Sequence, residues 1–116
     1  MSFVQTTQQK VTLTTPNERV DLTCIKGFGA FNVLVEDADF PGSGACAVFS
    51  IAANVNQARV QSTAAVMGSD GETLQIYWVS GQRPQLAFTG KVNPEFLPKK
   101  YLVACTLLSV DPTVRT

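Results

Sequence analysis

A chain of 116 residues is the size of one domain, and at this length roughly 65% of the surface of the unfolded chain is buried on folding, enough for a core without disulfide or metal staples. Apolar residues make up 45% and charged residues only 16%, against a usual charged content of about 25%, which leaves broad neutral surface of the kind that serves as contact area. Nine Lys and Arg balance nine Asp and Glu, so the chain carries no electrostatic footprint for nucleic acid or an anionic membrane, and little repulsion to oppose self-association.

Residues 2–14 are rich in Thr, Gln and Val, and Val4, Val11 and Leu13 alternate in part. This predicts an extended arm or edge strand over residues 1–16, ahead of a sandwich domain over residues 17–116, with Pro16-Asn17 as the turn between them. Residues 18–25 place Val20, Leu22 and Cys24 on one face and Arg19, Asp21 and Thr23 on the other, a half-buried strand that ends at Gly27-Phe28-Gly29. Residues 30–36 repeat the pattern with Phe31, Val33 and Val35. Glu36 to Gly44, acidic and interrupted by Pro and Gly, reads as a loop. Residues 45–55 carry Ala47, Phe49, Ile51, Ala53 and Val55 at even spacing in an apolar run, as in a strand buried on both faces.

Residues 52–67 are Ala-rich and fit a strand better than a helix, with Ala58, Val60, Ser62, Ala64 and Val66 on one face. Asp70-Gly71 then supplies a hairpin turn. Residues 72–80 bring Leu74, Ile76 and Trp78 together, and residues 85–89 follow the Gly81–Pro84 turn with Leu86 and Phe88. The whole of 58–90 therefore reads as a three-stranded meander, with these five side chains at the centre of the core and its two turns as exposed tips. After a loop from Gly90 to Lys100, residues 101–110 form a last strand that is apolar on both faces. About eight strands and no long helix predict an all-β fold, a single antiparallel β-sandwich of jelly-roll or immunoglobulin-like type.

The chain has no histidine. That excludes Ser-His-Asp and Cys-His catalysis and removes the usual zinc ligand. Cys24, Cys46 and Cys105 are odd in number and far apart, so free buried thiols are expected rather than a disulfide framework. Glu36, Asp37 and Asp39 match no calcium-loop spacing and read as a solvated loop. Gly42-Ser43-Gly44 and Gly90-Lys91 lack the parts of a phosphate loop. Tyr77, Trp78, Arg83 and Phe88 interleave aromatic and basic groups. Trp78 shares its face with core residues, so Tyr77 is the candidate for an exposed stacking aromatic. No enzyme activity, cofactor or metal is expected. The start of the chain lacks a signal-peptide pattern, and the longest apolar runs, 45–53 and 101–108, are too short to span a bilayer, which agrees with synthesis in a cytoplasm.

The strand-turn-strand run Gly71-Glu-Thr-Leu-Gln-Ile-Tyr-Trp-Val-Ser-Gly81, its continuation to Gly90, and the Thr/Gln-rich stretch Ser2–Thr15 resemble pieces of the capsid decoration, or cement, proteins of tailed bacteriophages. The resemblance implies a non-enzymatic virion protein, made in the host cytoplasm, that binds the capsid exterior as a dimer or trimer. Its partner is the major capsid protein, with no nucleic acid or membrane. No motif is shared residue by residue, so contact residues are expected on the irregular segments instead: Phe3, Val4, Val11 and Leu13 on the arm, Asp39 and Phe40 in the acidic loop, and Asp70, Tyr77 and Arg83 around the turns. If the arm alone docks, deleting residues 1–14 leaves a folded domain that no longer binds. Two alternatives stay open: a phage tail or baseplate component, and a carbohydrate-binding module that uses Tyr77.

Overall fold

The computed structural model describes residues 3–79 and 81–109. The strands are β1 (Phe3–Leu13), β2 (Arg19–Asp21), β3 (Gly29–Asp37), β4 (Cys46–Ala53), β5 (Ala58–Val66), β6 (Thr73–Tyr77), β7 (Gln85–Thr89) and β8 (Lys99–Ser109), with one short 3₁₀ turn at Pro94–Phe96. They form two antiparallel sheets, one of five strands in the order β1-β8-β3-β4-β5 and one of three in the order β2-β7-β6. The chain is an all-β sandwich. The pairings of β1 with β8 and β2 with β7 are nested and bring the first and last strands side by side.

Alternation decides which side chains meet between the layers. Phe31, Val33 and Val35 of β3, Ala47, Phe49 and Ile51 of β4, and Tyr101, Val103 and Cys105 of β8 face Leu74, Ile76, Leu86 and Phe88 of the smaller sheet. Each large apolar side chain buried this way contributes roughly 1.5–3 kcal/mol. The strand over 45–55 is not buried on both faces as its composition predicts. Cys46, Val48 and Ser50 are half-buried, because the outer face of the five-stranded sheet carries no further layer, and Val55 lies beyond the strand in a loop. For the same reason Leu102 and Leu108 of β8 stay exposed while Tyr101 and Val103 are enclosed.

The N-terminal stretch is built into the sandwich. β1 pairs with β8 over its whole length, from Phe3 opposite Ser109 to Leu13 opposite Lys99, and Val11 and Leu13 are fully enclosed in the core. Thr7 and Gln9 have partners inside the chain. Thr7 Oγ1 donates to the Cys24 carbonyl at 2.6 Å, Gln9 Nε2 donates to the Asp21 carbonyl at 2.9 Å, and Gln9 Oε1 accepts from Cys24 N at 3.2 Å. An edge strand of one sheet thereby stitches the segment that follows β2 in the other. These bonds, with Leu22 N donating to the Pro84 carbonyl at 2.8 Å, explain why the strand predicted over 18–25 ends at Asp21. The backbone beyond it is satisfied by side chains and a turn, not by a ladder.

The stretch 58–90 is not one meander. β5 belongs to the larger sheet and β6 and β7 to the smaller, so the chain crosses between layers at residues 67–72. The crossing is held by Gly68 N bonded to the Glu72 carbonyl at 2.9 Å and Gly71 N to the Gly68 carbonyl at 3.0 Å. Gly68 is buried there because a side chain at that position would overlap the Glu72 carboxylate. β5 also loses its period of two. The pairing with β4 shifts register between Val48 and Phe49, leaving Thr63 as the extra residue of a β-bulge, its hydroxyl donating to the Val48 carbonyl at 2.9 Å. Residues 61–67 are all exposed.

Candidate binding cleft

The two ends of the sandwich carry the polar chemistry. At the end where β1 stops and β8 begins, Lys99 is buried, and its Nζ donates to Asp70 Oδ2 at 2.8 Å and stands 3.8 Å from Glu72 Oε1. Glu72 is 0% exposed, and neither of its oxygens, nor the Tyr101 hydroxyl, has a hydrogen-bond partner among the described residues. Burial opposes the charge on Lys99, but the hydrogen bond to Asp70 and the charges of Glu72, Asp70 and Asp37 outweigh it and hold the ammonium pKa above its ordinary value. The Tyr101 phenol is raised further, by burial first and then by the same carboxylates.

Asp37 belongs to this end. It is buried, and its Oδ1 accepts from Asp39 N at 2.9 Å and Phe40 N at 2.8 Å. A side chain at Gly44 would overlap it. The acidic stretch is therefore split. Glu36 and Asp39 are solvated as the sequence predicts, whereas Asp37 turns inward to brace the loop. Among the described residues no three such side chains come together to hold a metal.

At the opposite end three loops stand around an open cleft of about 610 Å³: Ile25–Phe28 between β2 and β3, Asn54–Ala58 between β4 and β5, and Trp78 with Gly81–Pro84 between β6 and β7. Trp78 follows the end of β6 and packs against the core, its ring centroid 6.3 Å from that of Phe31 at a tilt of 49°. Its indole N–H donates to the Gln82 carbonyl at 3.0 Å. The ring is thus fixed as a wall of the cleft and is not at the centre of the core, where its face-sharing with Leu74 and Ile76 would put it. Phe28 is 57% exposed and Val55 75%. The 54–58 loop is shaped by Asn54, whose Oδ1 accepts from Asn56 N at 2.9 Å and Gln57 N at 3.0 Å. Among the described residues, Lys26 and Arg83 are the charged ones of the lining, and neither Asp nor Glu takes part in it. A second depression of about 290 Å³ shares Asn54 and Gln57 and adds Arg59.

Of the contact residues named from the sequence, only Arg83 lines this cleft. Tyr77 is half-buried beneath the Arg19 guanidinium, 4.2 Å from its ring centroid, so it is a covered aromatic and not an open stacking face. Phe88 lies in the core, edge-on to Tyr101. Asp70 is no exposed tip, because Lys99 holds it. Val11 and Leu13 point inward and have no surface to offer a partner; the side chains of Phe3 and Val4, and Ser80 of the β6–β7 turn, lie outside the described residues. Asp39 and Phe40 are exposed at the far end, Phe40 by 61%. The sequence reading missed Phe28, Asn54, Val55, Gln57 and Gln82. The one local signal was Phe28 itself, a large aromatic between two glycines.

Cys24 and Cys105 are buried free thiols that line one small cavity, and Cys46 is half-buried on the outer face of the larger sheet. Burial raises the pKa of both enclosed thiols, Cys105 to about 11.

No family model and no curated protein matches the sequence. Among solved structures, the fold is similar to part of gp49, a tailspike protein of Acinetobacter baumannii bacteriophage Fri1 described as a capsular polysaccharide depolymerase, with a TM-score of 0.57 and 13% sequence identity. The match covers 97% of this chain and 18% of the tailspike chain, so the protein spans under a fifth of the length of the molecule it resembles. The likeness is one of fold.

Proposed function

We propose that this chain is a non-enzymatic structural protein of a tailed-bacteriophage virion, a β-sandwich that binds the exterior of the particle and acts by docking. The observation that carries the reading is the fold likeness to a segment of a phage tailspike along nearly the whole chain. The surface agrees with it. The outer face of the five-stranded sheet exposes Leu34, Leu102, Leu108 and Val66, with Ala104 and Val48 flanking Leu34 in register, an apolar field on a chain of zero net charge.

In the first form of the proposal the chain is a capsid decoration protein, a dimer or trimer whose partner is the major capsid protein. A protein that binds only the assembled lattice stabilises that lattice by mass action, and an oligomer that bridges several subunits gains by avidity. In the second form, favoured by the tailspike likeness, the same face packs within the phage tail. The depolymerase activity ascribed to the tailspike does not come over to this reading. Two-carboxylate glycoside cleavage needs an acid and a base at the site, and no carboxylate lines the cleft among the described residues. Co-sedimentation of the purified protein with separated heads and tails decides between the two forms. Retention on heads, lost on substituting Leu34 and Leu102 by Glu, supports decoration; retention on tails alone supports the second form. Binding to neither ends the proposal.

A further inference from the structure

We propose that the cleft formed by residues 25–28, 54–58, Trp78 and 81–84 is a binding site for an acidic oligosaccharide, whose rings lie against Trp78 and Phe28 and whose carboxylate meets Arg83 or Lys26. The inference rests on the cleft alone and holds whether the chain sits on a head or a tail.

The volume of about 610 Å³ suits a few sugar residues. Trp78 is pinned by the Gln82 carbonyl and by Phe31, so its face is preorganised and no rotamer freedom is lost when a ring stacks on it. Phe28 and Val55 leave large apolar surface in water at the same rim, a cost to solvation that a stacked ligand removes. Around this apolar floor stand the amides of Gln57 and Gln82, side chains that donate and accept at once and so match sugar hydroxyls, and that of Asn54, whose oxygen is already held by its own loop.

The charge is one-sided. Lys26 and Arg83 line the cleft, Arg59 lines the adjoining depression across Asn54 and Gln57, and among the described residues no carboxylate lines either one. That field selects an anion. The sharing of two amides between the depressions gives a path for a chain longer than one ring. A nucleic acid fits less well, because three cations on a chain of zero net charge make no track along a phosphate backbone. An acidic peptide would leave the aromatic walls without flat partners.

Trp78 is the only tryptophan, which makes its fluorescence a direct readout of the cleft. The intact protein is titrated with tetragalacturonate, a hyaluronan tetrasaccharide and a sialic acid tetramer. Maltotetraose, tetraglutamate and an oligothymidylate octamer are the competing classes. The expected result is a saturable change in emission with at least one acidic saccharide, about tenfold tighter than with maltotetraose. Arg83→Gln weakens it about tenfold, as loss of one charge-assisted hydrogen bond does, Phe28→Ala weakens it at least as much, and Lys10→Gln, away from the cleft, leaves it unchanged. Arg83 and Phe28 are exposed, and matching thermal transitions confirm that these variants fold. No saturable change with any acidic saccharide, equal binding of maltotetraose, tighter binding of tetraglutamate or oligothymidylate, or binding indifferent to both cleft substitutions would each overturn the proposal.

Discussion

At one end of the sandwich Lys99, Asp70 and Glu72 meet inside the protein, with Asp37 and Tyr101 beside them, and two glycines are present because no side chain fits against the carboxylates. At the other end three loops stand apart around Trp78, and Phe28 and Val55 face water. Both ends gather polar and charged residues from distant parts of the chain. At the closed end Lys99 is hydrogen-bonded to Asp70 and stands as the counter-charge to Glu72 beside the crossing between sheets. At the open end the described lining holds Lys26 and Arg83 and no carboxylate. The same residue types serve stability in one place and recognition in the other, and the difference lies in whether a counter-charge is built in.

The comparison is most directly broken at Lys99. Lys99→Met leaves Glu72 buried without a cation, and a loss of about 3 kcal/mol in urea unfolding is expected. The double variant Lys99→Met/Glu72→Leu recovers most of that loss, because removing both charges removes the desolvation cost as well. Gly68→Ala drives a methyl group into the Glu72 carboxylate and costs about 2 kcal/mol by the same assay.

The next effect is on pH dependence. Cys24, Cys105, Tyr101 and Lys99 all have folded pKa values above their ordinary ones, so the folded chain holds these protons more tightly than the unfolded chain. Their contribution is complete below the ordinary thiol value of 9.0 and is lost as pH rises through about 11 at Cys105 and on through Tyr101 and Lys99. Urea midpoints should therefore fall steadily at alkaline pH, and a midpoint that rises there contradicts the burial of these groups. The thiols give a kinetic counterpart: at pH 8 the half-buried Cys46 reacts with a disulfide reagent in one fast phase, and Cys105 follows at least about a hundredfold more slowly. The smallest change is expected at the open end. Phe28→Ala and Arg83→Gln shift stability by less than about 0.5 kcal/mol, since neither side chain is enclosed.

Much of the scaffold is legible in the sequence. Alternation locates β3 to within a residue at each end, residues 85–89 match β7, and the period of two identifies β5 as a strand in spite of its alanines. The sheet to which each strand belongs is not legible, because β5 and β6 are joined by a short glycine-containing segment that looks like a hairpin and is a crossing between layers. The burial of Asp37, Glu72 and Lys99 is equally hidden. Nothing local marks a charged residue as enclosed; the partner does, and Lys99 lies 29 residues from Asp70. The cleft is the extreme case, since its three loops are brought together only by the nested strand order. Trp78 shows the limit of face-counting: the alternation of Leu74 and Ile76 stops at Tyr77, and one residue later the ring belongs to the wall of a site.

The extra residue in β5 has a consequence for the life of the protein in concentrated solution. An exposed edge of regular backbone is a template on which like chains can add without end, and a molecule of zero net charge has little to keep its copies apart. Thr63 interrupts that template in mid-strand and spends its own hydroxyl on the Val48 carbonyl. The edge is left as two short pieces out of step with each other, a poorer template for a like strand than an unbroken one.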